Sequence, residues 1–424
     1  MKIAIIGGGI SGNTVATHLH KEHDITLFES ESHLGGHTHT HDIEWGGKHY
    51  AIDTGFIVFN DRTYPNFIRM LDDHGVARQP TEMSFSVSNP AEGLEYNGHS
   101  LDTLFAQRSN IFKPRFHRMI WEIMRFNRDA LKLLDSNNTE ITLGQYLYEQ
   151  GYQKSFIENY IVPMGAAIWS SDPGVMYDFP AAFFIRFFKN HGLLDIRNRP
   201  QWYVIKGGSN QYVKAISALY DDRVELNTPV EWVKRVNQQV LVKPRNQMVR
   251  NFDAVFFATH SDQALKLLAD DATSLERNIL GAIPYQENEA VLHIDRNLLP
   301  AKRKAWASWN YNVEDSGRQG AALTYHMNTL QSLDAPVEFC VTLNSTQRID
   351  PKKIIKKMTY YHPMFTLDGM SAQSRQKQIN TNRTFFCGAY WRNGFHEDGV
   401  VSALHAIEHF SEVSDEQRYL RRAG

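Results

Sequence analysis

Cys340 and Cys387 are the only cysteines in 424 residues. That is too few for a disulfide framework, leaves even a single bridge unsupported, and points to a reducing compartment. Long apolar runs are also missing, and none reaches the length needed to cross a bilayer. Neither sign of charge is in excess: 45 Lys and Arg against 47 Asp and Glu leave a net charge of −2. A global basic field, and with it a nucleic-acid partner, is therefore not expected. Repeats and low-complexity tracts are absent. Met1–Ile6 reads as a strand rather than a leader, so the expected location is the cytoplasm. What the chain does have is 42% apolar and 12% aromatic residues, enough for a substantial core. Its length suits two interleaved domains.

The first 55 residues carry the clearest pattern. A short apolar strand runs into Gly7-Gly8-Gly9-Ile10-Ser11-Gly12, and residues to about Lys21 read as a helix. Gly7, Gly9 and Gly12 fit G-x-G-x-x-G. The first allows a tight turn, the second lets a pyrophosphate approach, and the third lets helix and strand pack closely. The helix N-terminus supplies free N–H groups and a positive dipole end. A second strand, Asp24–Phe28, ends at Glu29, placed to accept hydrogen bonds from a ribose hydroxyl. Ser30 follows, and a second glycine pair, Gly35-Gly36, then leads into His37.

Farther along, Tyr50–Asn60 reads as extended, and residues from about 100 to 195 are helical in pattern and rich in aromatics. Arg223–Val242 alternates as a strand meander, and Asn251–Phe257 is a short buried strand closed by Ala258-Thr259-His260. Ala290–Ile294 and Phe339–Leu343 are the clearest runs of a strand-rich stretch, Thr384–Gly388 is another buried strand, and Gly399–Phe410 a helix. The fold class is therefore α/β, a Rossmann-like dinucleotide domain with a discontinuous α+β substrate domain. The expected boundaries are 1–75, 200–265 and 380–424 for the first, and 76–199 and 266–379 for the second, with a helical insertion at about 100–195.

Several stretches resemble the flavin amine oxidase and phytoene desaturase superfamily, and more closely a bacterial branch of predicted NAD/FAD-binding proteins. They are Ile52–Asn60 with Tyr64-Pro65, Met83–Ser86, Pro163–Ser170, Phe187–Leu194, Trp202 with Gly207–Ser209, Ala258–Asp262, Cys387–Tyr390 and Gly394–Gly399. The resemblance favours FAD over NAD, because a glycine pair behind the ribose-binding acid recurs in these flavoproteins. It implies that Asp53-Thr54-Gly55 with Phe56 lines the flavin, that the Val230 backbone meets the adenine, and that Asp398-Gly399 heads a helix facing the N1/O2 edge of the ring. The expected FAD contacts are thus Gly7, Gly9, Ile10, Ser11, Gly12, Glu29, Ser30, Gly35, Gly36, His37, Thr54, Gly55, Phe56, Val230, Ala258, Thr259, Gly388, Asp398 and Gly399. Asp398 also reads as a plain helix-start residue. Cys387 lies on a buried strand, outside the attachment motif of covalent amine oxidases, so FAD is expected to be non-covalent.

His37, His39 and His41 alternate and would share one strand face, a geometry that could bind zinc. No fourth ligand is near and the loop belongs to the cofactor, so no metal is expected. His191, His260 and His396 lie in matched motifs and are the candidate acid–base groups, although any single histidine is more often structural than catalytic. Trp169, Trp202, Tyr390 and Trp391 could wall a pocket or simply pack the core.

Two segments bear on the substrate. Lys113–Leu134 carries Lys113, Arg115, Arg118, Arg125, Arg128 and Lys132 beside Phe116, Trp121 and Met124. Phe179–Leu194 sets five phenylalanines around Arg186 and Lys189. Each could be a substrate-domain helix with a solvated basic face, or lie peripherally on the inner face of a membrane. The resemblance implies removal of two hydrogens from a small-molecule or lipid substrate, with hydride passing to flavin N5. Relatives in the branch are often encoded near cyclopropane-fatty-acid-synthase-like methyltransferases, which makes a fatty-acyl chain the preferred substrate and desaturation or dehydrogenation the reaction. An amine oxidase, a redox-neutral isomerase or mutase, and a non-catalytic flavin-binding protein are the alternatives. Oligomeric state and electron acceptor stay open.

Overall fold

The computed structural model describes residues 1–136, 140–195, 197–313, 321–381 and 383–423. Its centre is a five-stranded parallel sheet in the order Val224–Glu225, Asp24–Phe28, Lys2–Ile6, Ala254–Phe257, Thr384–Phe386. Strands buried on both faces read as unbroken apolar runs, and Ile3, Ala4 and Ile5, like Val255–Phe257, are fully buried. The helices Ile10–Leu19 and His396–Ala423 pack together on one side of this sheet. An antiparallel three-stranded sheet, Val230–Val236, Gln239–Pro244 and Arg250–Phe252, packs on the other.

A seven-stranded sheet forms the second layer, in the order Ile354–Pro363, Tyr285–His293, Cys340–Leu343, Leu323–His326, Trp309–Asn312, Phe85–Asn89, Leu94–Asn97. All its pairings are antiparallel except that of Trp309–Asn312 with Phe85–Asn89. From Leu101 to Asn190 the described elements are helical, and their aromatic side chains form the largest core cluster.

Three sequence expectations need correction. The stretch 251–257 is two strands, because the Asp253 N–H donates to the Lys2 carbonyl (2.8 Å) and its carboxylate accepts from the Lys2 N–H (2.7 Å), so the chain changes sheets there. The meander from Arg223 splits likewise: Val224–Glu225 joins the parallel sheet and only the following segment forms the hairpin. The last helix starts at His396, a turn earlier than expected. Of the two basic segments, Phe179–Leu194 turns inward. All five of its phenylalanines are buried while Arg186 and Lys189 are exposed, which fits the reading of a substrate-domain helix with a solvated basic face.

Candidate active site

The glycine turn is built as its spacing predicts. Gly7 has φ of 102°, a left-handed conformation that favours glycine, and a Cβ there would lie 2.6 Å from the Ala258 carbonyl oxygen. A Cβ at Gly12 would come within 1.9 Å of the Gly7 oxygen, so helix and turn touch backbone to backbone. At Gly9 the surroundings differ, for a Cβ would meet nothing within 4 Å. The second glycine pair is laid across the first turn: Gly35 bridges Gly9, and its N–H donates to the Gly8 oxygen at 2.8 Å. The Glu29 carboxylate braces both ends, accepting from the Gly8 N–H (2.7 Å), the Glu31 N–H (2.9 Å) and Ser30 Oγ (3.1 Å).

The starts of the first and last helices converge here. Ser11 Oγ donates to the Gly399 carbonyl at 2.9 Å, and a Cβ on Gly399 would lie 2.7 Å from Ile10. Two sets of unpaired helix N–H groups and two positive dipole ends therefore lie side by side, a setting for anionic groups.

A single cavity of about 810 Å³ runs from this turn into the interior. Gly7, Gly9, Ile10, Ser11, Glu29, Ser30, Gly35, Gly36, Ala258 and Thr259 line it at the glycine turn; His37, Gly55, Phe56, Gly388 and His396 also line it. Gly12, Thr54, Val230, Asp398 and Gly399 are not among its lining residues. Gly12 and Gly399 act through close packing, as above. Thr54 sits behind the wall, its hydroxyl 2.9 Å from Tyr360 Oη and 3.1 Å from His41 Nε2. Asp398 lies inside the first turn and its carboxylate reaches back to accept from the Phe395 N–H (2.9 Å), the helix-start role. Burial raises its pKa to about 6. Val230 heads the hairpin and pairs with Pro244.

The three candidate histidines stand apart. His191 stacks on Phe187 (centroids 3.8 Å), His260 on Tyr285 (4.5 Å) and His396 on Phe56 (3.6 Å). Burial is the main cause lowering His191 and His260 to about 4 and His396 farther below the usual value, so all three are neutral at pH 7. His191 Nδ1 lies 3.0 Å from the Phe187 carbonyl, which requires the proton on Nδ1 and leaves Nε2 as the acceptor nitrogen. His396 Nε2 is 2.9 Å from Thr38 Oγ1 and 3.0 Å from Tyr212 Oη.

His37, His39 and His41 do not share one face. The strand begins only at Thr40, after a turn closed by Thr38 N–H donating to the Gly35 oxygen. The rings of His39 and His41 lie 4.1 Å apart, with His33 4.5 Å from His39. His37 instead faces Tyr360 and His362, both at 5.3 Å. Among the described residues no cluster of His, Cys, Asp or Glu is arranged to hold a metal.

Trp169, Trp202 and Tyr390 line the cavity, and Trp391 packs in the core. The strand Ile354–Pro363, not singled out from the sequence, lines the cavity from Lys356 to Pro363, with Met358, Tyr360 and His362 on its less exposed side. Trp309 and Tyr325, from two other strands of that sheet, were likewise not singled out. Alternation along 358–362 was the available signal.

A flavin dinucleotide fits this lining. The glycine turn leaves room above Gly9, and His37 Nε2, Trp169 Nε1, Trp309 Nε1 and Tyr390 Oη are buried polar atoms of lining residues without a protein partner. Neither Cys340 nor Cys387 lines the cavity, and burial raises both thiols far above the usual range, which agrees with non-covalent binding.

Comparison with known proteins agrees. Residues 10–294 match the model of the flavin containing amine oxidoreductase family. No curated protein sequence matches the chain. Among solved structures, cyclohexylamine oxidase from Brevibacterium oxydans is 15% identical, covering 97% of this chain and 99% of its own, with a TM-score of 0.70. Putrescine oxidase bound to putrescine gives 15%, 97%, 99% and 0.65. The CLA-producing fatty acid isomerase of P. acnes gives 16%, 96%, 98% and 0.68. At these identities the likeness carries the fold, and the family follows from the model spanning most of the chain: the protein belongs to the flavin containing amine oxidoreductases and is an FAD-dependent oxidoreductase.

Proposed function

We propose that the chain dehydrogenates an acyl chain, a fatty-acyl or phospholipid substrate. Segments 1–75, 200–265 and 380–424 would hold FAD, and the remainder would form the substrate chamber. The observation that carries this reading is the character of the chamber walls. Met83, Phe85, Met164, Ile168, Trp169 and Phe365 line the cavity, while Lys356, Lys357 and Arg199, the Lys and Arg among its described lining residues, are exposed. Its lining carboxylates, Glu29 and Glu31, are at the end by the glycine turn. A charged ammonium entering this chamber would lose its hydration without gaining a counterion, whereas an acyl chain gains about 0.8 kcal/mol per buried CH₂.

When bound, the flavin supplies a two-electron acceptor that takes hydride at N5. The protein's residues bind, orient and keep the site dry. Gly7–Ser11, Glu29, Ser30, Gly35, Gly36, Ala258 and Thr259 would hold the nucleotide, with Val230 toward the adenine. His37, Thr54, Gly55, Phe56, Gly388, Asp398 and Gly399 would shape the ring site. His191, neutral and with Nε2 able to accept, is our choice of base for the substrate proton. His396 and His260 would position neighbouring groups.

The test is the visible absorbance of the purified FAD-loaded protein under anaerobic conditions, with phospholipids and an amine panel added separately. Bleaching by lipid alone is the expected result. Bleaching by an amine would make the enzyme an amine oxidase, and no bleaching by either would move it toward a redox-neutral isomerase or a non-catalytic protein.

A further inference from the structure

The helix Pro114–Asp129 buries Phe116, Met119, Glu122 and Phe126. At 100° per residue, Arg118, Trp121, Met124, Arg125 and Arg128 share its outer face. Trp121 is 55% exposed and Met124 54%, and just before the helix Phe112 is 84% exposed beside Lys113. Single exposed apolar residues are ordinary, but large ones gathered on one face mark an interaction site. Apart from Asp129 at its end, the charge on this face is positive. Lys113 and Arg118 have no carboxylate partner among the described residues, whereas Arg125 is held in place, 4.0 Å over the Tyr152 ring, 5.4 Å over that of Trp121 and donating to the Gln150 carbonyl at 2.8 Å. Arg128 pairs with Asp129 at 2.7 Å, at the far end of the helix.

The helix that carries this face packs beside the cavity wall. Phe116, on the inner side of the same helix, packs 5.8 Å from Tyr96, a cavity-lining residue. Gly98 and His99, exposed and lining the cavity, run directly into Leu101, which is 76% exposed.

We propose that this face docks the enzyme on an anionic phospholipid surface. Phe112, Trp121 and Met124 would enter the headgroup region, Lys113 and Arg118 would meet lipid phosphates, and the cavity rim at Gly98-His99 would come close to the lipid. Charge complementarity selects the occupant: clustered cations interleaved with aromatics suit anionic lipid. No described helix is long and apolar enough to cross a membrane, so the contact is peripheral. The usefulness of such docking rests on the acyl-chain reading, but its test does not.

FAD-loaded protein is sedimented with vesicles of phosphatidylglycerol and phosphatidylcholine, or of phosphatidylcholine alone, at low and high salt. We expect binding to the anionic vesicles only, release by salt, and a blue shift of tryptophan emission that Trp121→Phe removes. Phe112→Asp, and Lys113→Glu combined with Arg118→Glu, should each weaken binding about tenfold or more while the flavin content stays unchanged. Absent binding, equal binding to neutral vesicles, or variants that bind like the parent would overturn the proposal. A lipid-free dimer that Phe112→Asp dissociates would also overturn it, assigning the face to a second copy. Vesicle binding without lipid bleaching would leave the docking standing and the acyl-chain substrate refuted.

Discussion

Gly9 and Gly12 belong to one sequence pattern, yet a side chain would meet different surroundings at each. Gly9 has extended backbone (φ −73°, ψ −173°) that valine adopts readily, and open space beyond it. Gly12 faces the Gly7 oxygen at 1.9 Å. Gly9→Val should therefore purify folded, with stability within about 0.5 kcal/mol of the parent, but colourless. Gly12→Val should lose about 1–3 kcal/mol or more through backbone displacement, even without cofactor. Thermal melts of the apo proteins and flavin absorbance of the purified ones separate the two effects. A fully yellow Gly9→Val protein would show that the flavin is held somewhere other than at this turn. Spacing identified both glycines, but only the surrounding backbone distinguishes the one facing the cavity from the one inside the packing.

At the scale of elements, the start of the last helix does work that its own sequence does not display. Glu397, buried, accepts from the Asn66 N–H (3.1 Å), Asn66 Nδ2 (2.7 Å) and the Phe67 N–H (2.9 Å). It thereby satisfies the unpaired N–H groups of the helix Pro65–Asp73. One carboxylate thus ties two helix starts together behind the wall that carries Phe56 and His396. Glu397→Ala should cost about 2–4 kcal/mol in urea unfolding, because buried donors are left without acceptors, whereas Glu397→Gln should keep part of the bonding and cost less. Equal losses in the two variants would show that packing, not hydrogen bonding, is what Glu397 provides. The partners are 330 and 331 positions apart, so no local pattern could reveal them. Asp398, whose partner is three residues away, was legible as a helix-start residue for the same reason of distance.

Across the whole molecule, histidine burial sets the response to acid. Burial is the main cause lowering His37, His191, His260 and His293 from 6.5 to about 4, and His362 to about 3. A group with a lowered folded pKa binds its proton more readily when unfolded. Its contribution is complete above pH 6.5 and is lost as the pH falls toward the folded value. Asp53 and Asp398, raised by burial to about 6, act in the opposite sense, gaining stability as the pH falls from about 6 to 4. Five imidazoles outweigh two carboxyls. At about 1.4 kcal/mol per pK unit, their loss is comparable with a typical total stability of roughly 5–15 kcal/mol. The melting temperature should fall steeply between pH 6.5 and 4. A flat or rising profile over that range would show that these histidines are accessible to protons in the folded state.

By itself the sequence determined the parallel-sheet framework and the glycine turn with its acid, because these depend on backbone conformation and on residues close together along the chain; the choice of FAD over NAD came from the resemblance of motifs spread along it. His37 with His260, and His396 with Phe56, came from separated motifs whose meeting depends on the tertiary fold. The tertiary structure alone decided that His37 leaves its neighbours for Tyr360 and His362, that Glu397 caps a distant helix, and that Phe179–Leu194 turns inward while Phe112, Trp121 and Met124 remain exposed. Each of those outcomes depends on which surfaces the packed elements cover, and a pattern of residue types is the same whether its apolar side meets a neighbouring helix or solvent.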